Sequence, residues 1–172
     1  AGTTTGENLE FVGATLATGD SRENGFDVKV TQIATKAVSE GQSALTQEII
    51  NAGERLTVIE QGKMATYITN KDDTAATAVQ NLRSEAERKG LGLDIALMDD
   101  GRISITHRNY GSGSSFQFSS STAGVLSKNA GEIEIAQEGA DIKGTINGES
   151  AIGKGQVLSG VKGAACVDGL SV

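Results

Sequence analysis

Asp72-Asp73-Thr74-Ala75-Ala76-Thr77-Ala78-Val79-Gln80-Asn81-Leu82, with Leu93-Asp94-Ile95-Ala96-Leu97-Met98-Asp99-Asp100-Gly101-Arg102-Ile103-Ser104-Ile105-Thr106 downstream of it, decides the fold class. Ala75, Val79, Leu82 and Ala86 recur at helical spacing and predict a helix over 74–89, capped by Asp73. Glu85 and Lys89 are spaced for an i,i+4 ion pair, and Gly90 provides a left-handed stop. Leu93, Ile95 and Leu97 then alternate with polar or small residues, and Ile103 and Ile105 return after the turn Asp99-Asp100-Gly101. That is a hairpin pattern. The helix carries small apolar side chains, which let it lie close to a sheet. One helix laid across the strands before and after it makes an α+β sandwich.

The same reading extends in both directions. Leu56 and Val58 are expected to pair with Tyr67 and Ala65, or with Met64 and Ile68, across the turn Glu60-Gln61-Gly62-Lys63. A short helix is expected from a Ser43 cap through Leu45, Ile49 and Ile50 to Gly53. Phe26, Val28 and Val30 alternate with Asp27, Lys29 and Thr31, as in a half-buried strand. From Ser119 to Asn129 the Ser/Thr/Ala/Gly-rich chain reads as a connector. Beyond it, Ile133 with Ile135, Ile142, Ile146, and Val157 with Leu158 are short strand centres separated by glycines. The expected organisation is an α+β domain over 1–129, mostly antiparallel strands and hairpins with one main helix on the sheet. A small Gly-rich β segment over 130–172 either adds strands to it or forms a subdomain. No strict internal repeat is evident.

Composition removes several classes of function. The 172 residues include 23 Gly, no Pro and only 3% aromatics, so the core must be aliphatic. Without proline the chain lacks the slow isomerisation steps that delay refolding, which would suit passage through a pore in the unfolded state. Fifteen Lys+Arg against 22 Asp+Glu leave a net charge of −7, which disfavours nucleic acid as a partner. No apolar run is long enough to insert in a membrane. The N-terminus lacks the layout of a secretory signal, and both ends read as cut from a longer chain. Cys166 is alone and is expected to be a buried, inert thiol.

The candidate sites reduce to structural punctuation. Gly148-Glu149-Ser150-Ala151-Ile152-Gly153-Lys154-Gly155 matches the front of a phosphate-binding loop. Gly155, however, stands where a Ser or Thr must ligate magnesium, and a strand-like segment follows instead of a helix. A glycine-bounded hairpin loop is expected. Asp72-Asp73 suits a helix start and Asp99-Asp100-Gly101 a turn. Neither has the spaced oxygen ligands of a calcium loop. His107, the only histidine, shares the alternation of Ile103 and Ile105 and is expected to be structural. Gly111-Ser112-Gly113-Ser114-Ser115 could form an amide nest for an anion, but its ordinary reading is a hairpin connection. The Ser/Thr run 119–122 could accept O-linked sugars. The expectation is therefore no catalytic residue, no cofactor and no metal.

The stretch from Gly53-Glu54-Arg55-Leu56-Thr57-Val58 to Phe116-Gln117-Phe118 resembles the repeat termed the flagellin hook IN motif. The resemblance rests on Gly-x-x-Leu-x-Val, Asp-Thr-Ala-x-x-Ala-Val-x-x-Leu, Asp-Gly-Arg-Ile-x-Ile and Gly-Ser-x-Ser-Phe, in that order. Gly25-Phe26-Asp27-Val28-Lys29-Val30-Thr31-Gln32-Ile33-Ala34 is similar to the strand that opens the outer region of flagellins and filament-cap proteins. Ile142-Lys143-Gly144-Thr145-Ile146-Asn147-Gly148-Glu149 resembles their Gly-x-Ile-Asn-Gly segment. Cys166 departs from the family's pattern, and the long terminal helices that polymerise such proteins are not in this sequence. The resemblance implies a solvent-facing outer domain of an exported, extracellular flagellar subunit, with flagellin first and the filament cap (hook-associated protein 2) second. Its implied partners are other flagellar subunits, with contacts to host surfaces, glycans or antibodies as further options. An adhesive module using the polar strand residues Thr66, Ser104 and Thr106 is the alternative from another class. An enzyme would rest on the Gly148–Gly155 loop alone.

Overall fold

A computed structural model describes residues 2–21 and 24–172. In chain order the elements are β1 (Val28–Gln32), β2 (Lys36–Glu40), α1 (Gln47–Asn51), β3 (Arg55–Glu60), β4 (Lys63–Ile68), α2 (Ala75–Arg88), β5 (Leu93–Leu97), β6 (Ile103–Tyr110), β7 (Gln117–Ser120), β8 (Glu134–Ile135), β9 (Lys143–Ile146), β10 (Glu149–Lys154) and β11 (Val157–Gly160). The pairs β1–β9, β9–β10, β10–β11, β3–β4, β3–β7, β7–β8 and β5–β6 are antiparallel. The class is α+β, as the alternation and the single long amphipathic segment predict.

The chain divides into two units. A helical unit comprises Lys36–Asn109 and Ser114–Gly139, and a β unit comprises Ala1–Thr35, Tyr110–Gly113 and Ala140–Val172. This division differs from the expected boundary at 129/130. The reason is long-range pairing: β1 finds its partner in β9, so the first residues cluster with the last. The Gly-rich tail is also split, because β8 joins β7 in the helical unit while β9–β11 go to the β unit.

In the helical unit one sheet runs β4-β3-β7-β8 and another β2-β6-β5. The β3–β4 hairpin takes the register Leu56↔Tyr67 and Val58↔Ala65. Its two-residue turn has positive φ at Gln61 (49°) and Gly62 (77°), the primed geometry that matches strand twist. Leu56, Val58, Ala65 and Phe118 are thereby buried, and α2 packs on β4 and β5 through Ala78, Val79, Leu82 and Ala86.

Both helix caps differ from expectation. Thr74, not Asp73, caps α2: its hydroxyl accepts from Thr77 N–H at 3.2 Å, and Thr77 Oγ1 accepts from Thr74 N–H at 2.7 Å. The Asp73 carboxylate instead accepts from Tyr67 Oη at 2.8 Å and Asn70 N–H at 2.9 Å. Thr46, not Ser43, caps α1: the helix starts at Gln47, and the Thr46 hydroxyl accepts from Ile49 N–H at 3.4 Å. At the other end of α2, Leu91 N–H reaches Ala86 O and Gly90 N–H reaches Glu87 O, the paired closure of a Schellman motif. Glu85 pairs with Arg88 at 2.6 Å rather than with Lys89.

Segment 119–129 is more than a connector. Val125 and Ser127 are fully buried, and Leu126 nearly so. Ser120 Oγ accepts from Leu126 N–H and Ser127 N–H and donates to Thr122 O, while Ser127 Oγ accepts from Ser120 N–H. Serine content that reads as flexible serves here to satisfy buried backbone groups.

In the β unit the sheet runs β1-β9-β10-β11 over a small core of Ile146, Leu158, Val167 and Leu170, with Phe11, Phe26 and Val28 against it. A Cβ on Gly153 would overlap the Ile142 carbonyl, so close backbone approach fixes glycine there. Leu82→Ala is expected to cost about 2–5 kcal/mol by leaving a cavity. Thr74→Ala is expected to cost about 1 kcal/mol by orphaning a helix N–H. Urea denaturation of the chain measures both.

Candidate interaction surface

The loop that resembles a phosphate cradle is strand β10 between two turns. Its residues pair with Ile146 and Thr145 on one side and with Gly160 to Val157 on the other. Amides committed to a ladder cannot converge on a phosphate. Asp73 is held by Tyr67 and Asn70, and burial, with the Asp73 carboxylate second, pushes the Tyr67 phenol up from its ordinary value. Asp100 pairs with Arg102 at 2.6 Å, and that hydrogen bond holds its carboxyl below the usual range. Among the described residues no group of three or more His, Cys, Asp or Glu is placed to hold a metal ion. No helix among them is long and apolar enough to cross a membrane.

His107 is buried on the face of Ile103 and Ile105, where alternation puts it. Its Nδ1 accepts from Asn109 N–H at 2.9 Å, so the proton sits on Nε2, which donates to Glu60 Oε1 at 2.8 Å. Glu60 Oε2 also accepts from Gly92 N–H. One carboxylate at the end of β3 thus ties the first sheet to β6 of the second. Sequence reasoning missed Glu60, because it stands beside a turn where an acidic residue ordinarily faces water.

The Gly111–Ser115 loop does hold an anion, and that anion is the chain's own. Asp141 accepts from Ser112 Oγ at 2.6 Å, Gly155 N–H at 2.7 Å and Ser112 N–H at 3.2 Å. The Ser112 hydroxyl, followed by the Gly155 amide, holds the Asp141 carboxyl below the ordinary range. Cys166 is half-buried beside the small core of the β unit, and its carbonyl accepts from Gly19 N–H at 2.9 Å. Thr66, Ser104 and Thr106 do not form one polar face. Thr66 lies on β4 bonded to Thr57 at 3.0 Å, whereas Ser104 and Thr106 lie on β6 in the other sheet.

What remains is the face of the β4-β3-β7-β8 sheet turned away from α2. Across the strands it presents Ile68 and Arg55 in one row, then Thr66, Thr57 and Ser119, then Met64, Ile59, Gln117 and Ile135, with Ile133, just before β8, lining the same face. Met64 (53%), Ile68 (52%), Ile133 (59%) and Ile135 (66%) are exposed. Part of this face is a shallow groove of about 540 Å³. An antiparallel sheet with one solvated face ordinarily shows water polar side chains, so this face is the departure to explain.

No family model matches the chain, and no curated protein does. Solved structures do match. The D2-D3 domains of the flagellar cap protein FliD from Serratia marcescens have 14% identity and a TM-score of 0.56, over 94% of this chain and 90% of that one. The corresponding domains from Escherichia coli have 14% identity and a TM-score of 0.53, over 94% and 90%. FliD (HAP2) from Pseudomonas aeruginosa PAO1 has 15% identity and a TM-score of 0.50, over 92% and 75%. The fold is that of the cap-protein D2-D3 domains.

At such identity the likeness is one of fold, and the cap-domain fold is carried here by this chain's own contacts. The repeat-like stretch Gly53–Phe118 supplies β3 to β6 and α2, the centre of the helical unit. Two outcomes test the polar joints. Glu60→Ala strands two buried donors and is expected to cost about 2–4 kcal/mol, while Glu60→Gln keeps one acceptor and costs less; denaturant midpoints measure both. Because the folded Asp141 pKa is depressed, its contribution is present above the unfolded carboxylate pKa and is lost as pH falls through the folded value. Asp141→Asn therefore lowers stability at neutral pH and flattens its decline on acidification, as read by thermal melts across pH.

Proposed function

We propose that this chain is an outer-domain segment of a bacterial flagellar cap protein, a structural part with no catalytic role. The observation that carries the reading is fold agreement over 94% of the chain, both units included, with solved cap D2-D3 domains. The order of the loose patterns between Gly53 and Phe118 supports the same group of axial proteins. The sequence resemblance alone ranks flagellin first; the solved structures of similar fold are cap proteins, which moves the cap ahead. Other flagellar subunits are the proposed partners, and the extracellular filament tip is the proposed location. No observation favours a glycan or host-surface role.

The non-catalytic reading has physical support. The lone imidazole is buried and bonded at both nitrogens, and the phosphate-loop pattern is a strand. A protein of this kind works through surface shape. Immunogold labelling of cells that encode this chain, with antibody raised against it, is expected to mark filament tips. Label along the whole filament would favour flagellin, and flagella without label would overturn the proposal. ATP with magnesium is expected to leave the melting temperature unchanged; a rise of several degrees would restore the nucleotide-binding alternative.

A further inference from the structure

We infer that Asn147-Gly148 is a deamidation site that the folded β unit holds shut through the Asp27 backbone, so that its conversion records time the chain spends unfolded. The inference goes beyond the flagellar reading and does not rest on it.

The dipeptide is the two-residue turn between β9 and β10. Ile146 pairs with Glu149 across it, and φ is positive at Asn147 (52°) and Gly148 (76°). Asn-Gly is the sequence that such a primed turn prefers. It is also the asparagine sequence most open to attack by its own backbone, because glycine has no Cβ to crowd its nitrogen. In the open chain the Gly148 nitrogen gives its proton to hydroxide and bonds to Asn147 Cγ. The Cγ–Nδ2 bond breaks and ammonia leaves, closing a five-membered succinimide. Water then opens either ring carbonyl, which leaves aspartate or isoaspartate at position 147. In sum, one amide and one water become one carboxylate and one ammonium ion, and no cofactor is consumed.

In the folded chain conformation, not burial, stands in the way. Gly148 is exposed, and beyond its chain neighbours no described atom lies within 4 Å of where its Cβ would stand. Asn147 Oδ1, however, accepts from Asp27 N–H at 2.7 Å, and Asn147 N–H donates to Asp27 O at 2.7 Å. The side chain thus takes the place of a ladder carbonyl next to the pair Val28↔Ile146. Closing the ring requires the side chain to leave Asp27. It also requires ψ at Asn147 to turn away from the value of about +30° that the primed turn sets.

The position of the turn gives the product its consequence. β9 also pairs with β1, and β10 with β11, so this hairpin is the middle of the four-stranded sheet. Aspartate keeps an oxygen to accept from Asp27 N–H. Isoaspartate instead routes the main chain through the side-chain methylene and Cγ, and the lengthened turn no longer matches the strands it joins.

The test ages the purified full chain at one temperature and mildly alkaline pH, native and in guanidinium chloride, and follows tryptic peptides by mass spectrometry. Cleavage after Lys143 and Lys154 leaves Asn147 as the only asparagine in its peptide. Asn24-Gly25, on a separate peptide, calibrates the denatured rate, since the same dipeptide without structure reacts comparably. Asn147 is expected to keep pace with Asn24 in guanidinium and to convert about tenfold or more slowly in the native chain, where reaction waits for local opening. Asp27→Pro removes the N–H that Oδ1 accepts from. With an unchanged circular-dichroism spectrum, it is expected to raise the native rate several-fold. Equal native and denatured rates at Asn147 overturn the inference, and this comparison needs no variant. So does an Asn147 that stays intact in guanidinium while Asn24 converts, or a folded Asp27→Pro chain with an unchanged native rate. None of these outcomes bears on filament labelling, so the two readings fail separately.

Discussion

Strict alternation along β3 is the constraint on which the helical unit depends. In a strand successive side chains point to opposite faces, so burying Leu56 and Val58 against α2 forces Thr57 and Ile59 outward. A slip of one residue would exchange the two sets, and the primed turn at Gln61-Gly62 forbids it. The same parity carries to β4 through the hairpin and to β7 through Val58↔Phe118. The apolar core and the unusual outer face are thus two results of one register. Neither can be altered without the other.

With so few aromatics the interior is assembled from Leu, Ile, Val and Ala, and polar joints connect its layers. Glu60 bonds His107 and the Gly92 amide, while Glu54 Oε1 accepts from Thr122 N–H at 3.0 Å. Both glutamates are buried, and each satisfies groups that would otherwise be orphaned. Thr69 acts similarly: its hydroxyl accepts from Glu54 N–H and donates to Ile50 O, holding the end of α1 to the start of β3. These bonds are directional where aliphatic packing is not, and they select one arrangement of helix and sheets.

How much was legible in the sequence follows from the range of each interaction. The period of α2, the Gly90 stop, the β5–β6 hairpin and the placement of His107 are local or nearly so, and all were readable. The caps escape local reading because the Asp73 carboxylate is drawn into bonds that only the folded chain creates, and α1 begins after Thr46 rather than near Ser43. Segment 119–129 looked like a linker because serine composition does not reveal that Ser120 and Ser127 bond inward. The unit division was beyond local reading, since nothing near Val28 announces that Ile146 will pair with it. For the surface, alternation identified the strands, but only the strand order showed that the residues at the flanks belong to one face.

The β unit is interrupted twice along the chain, and this has a consequence for how the molecule is made. During synthesis β1 is left without its partner until the much later β9 has emerged. The helical unit, whose last residue is Gly139, has all its strands available before β9 appears and can close earlier. Folding rates fall as contacts become more distant along the chain, so zipping β1 onto β9 is the slow event. A chain without proline adds no isomerisation delay to that wait.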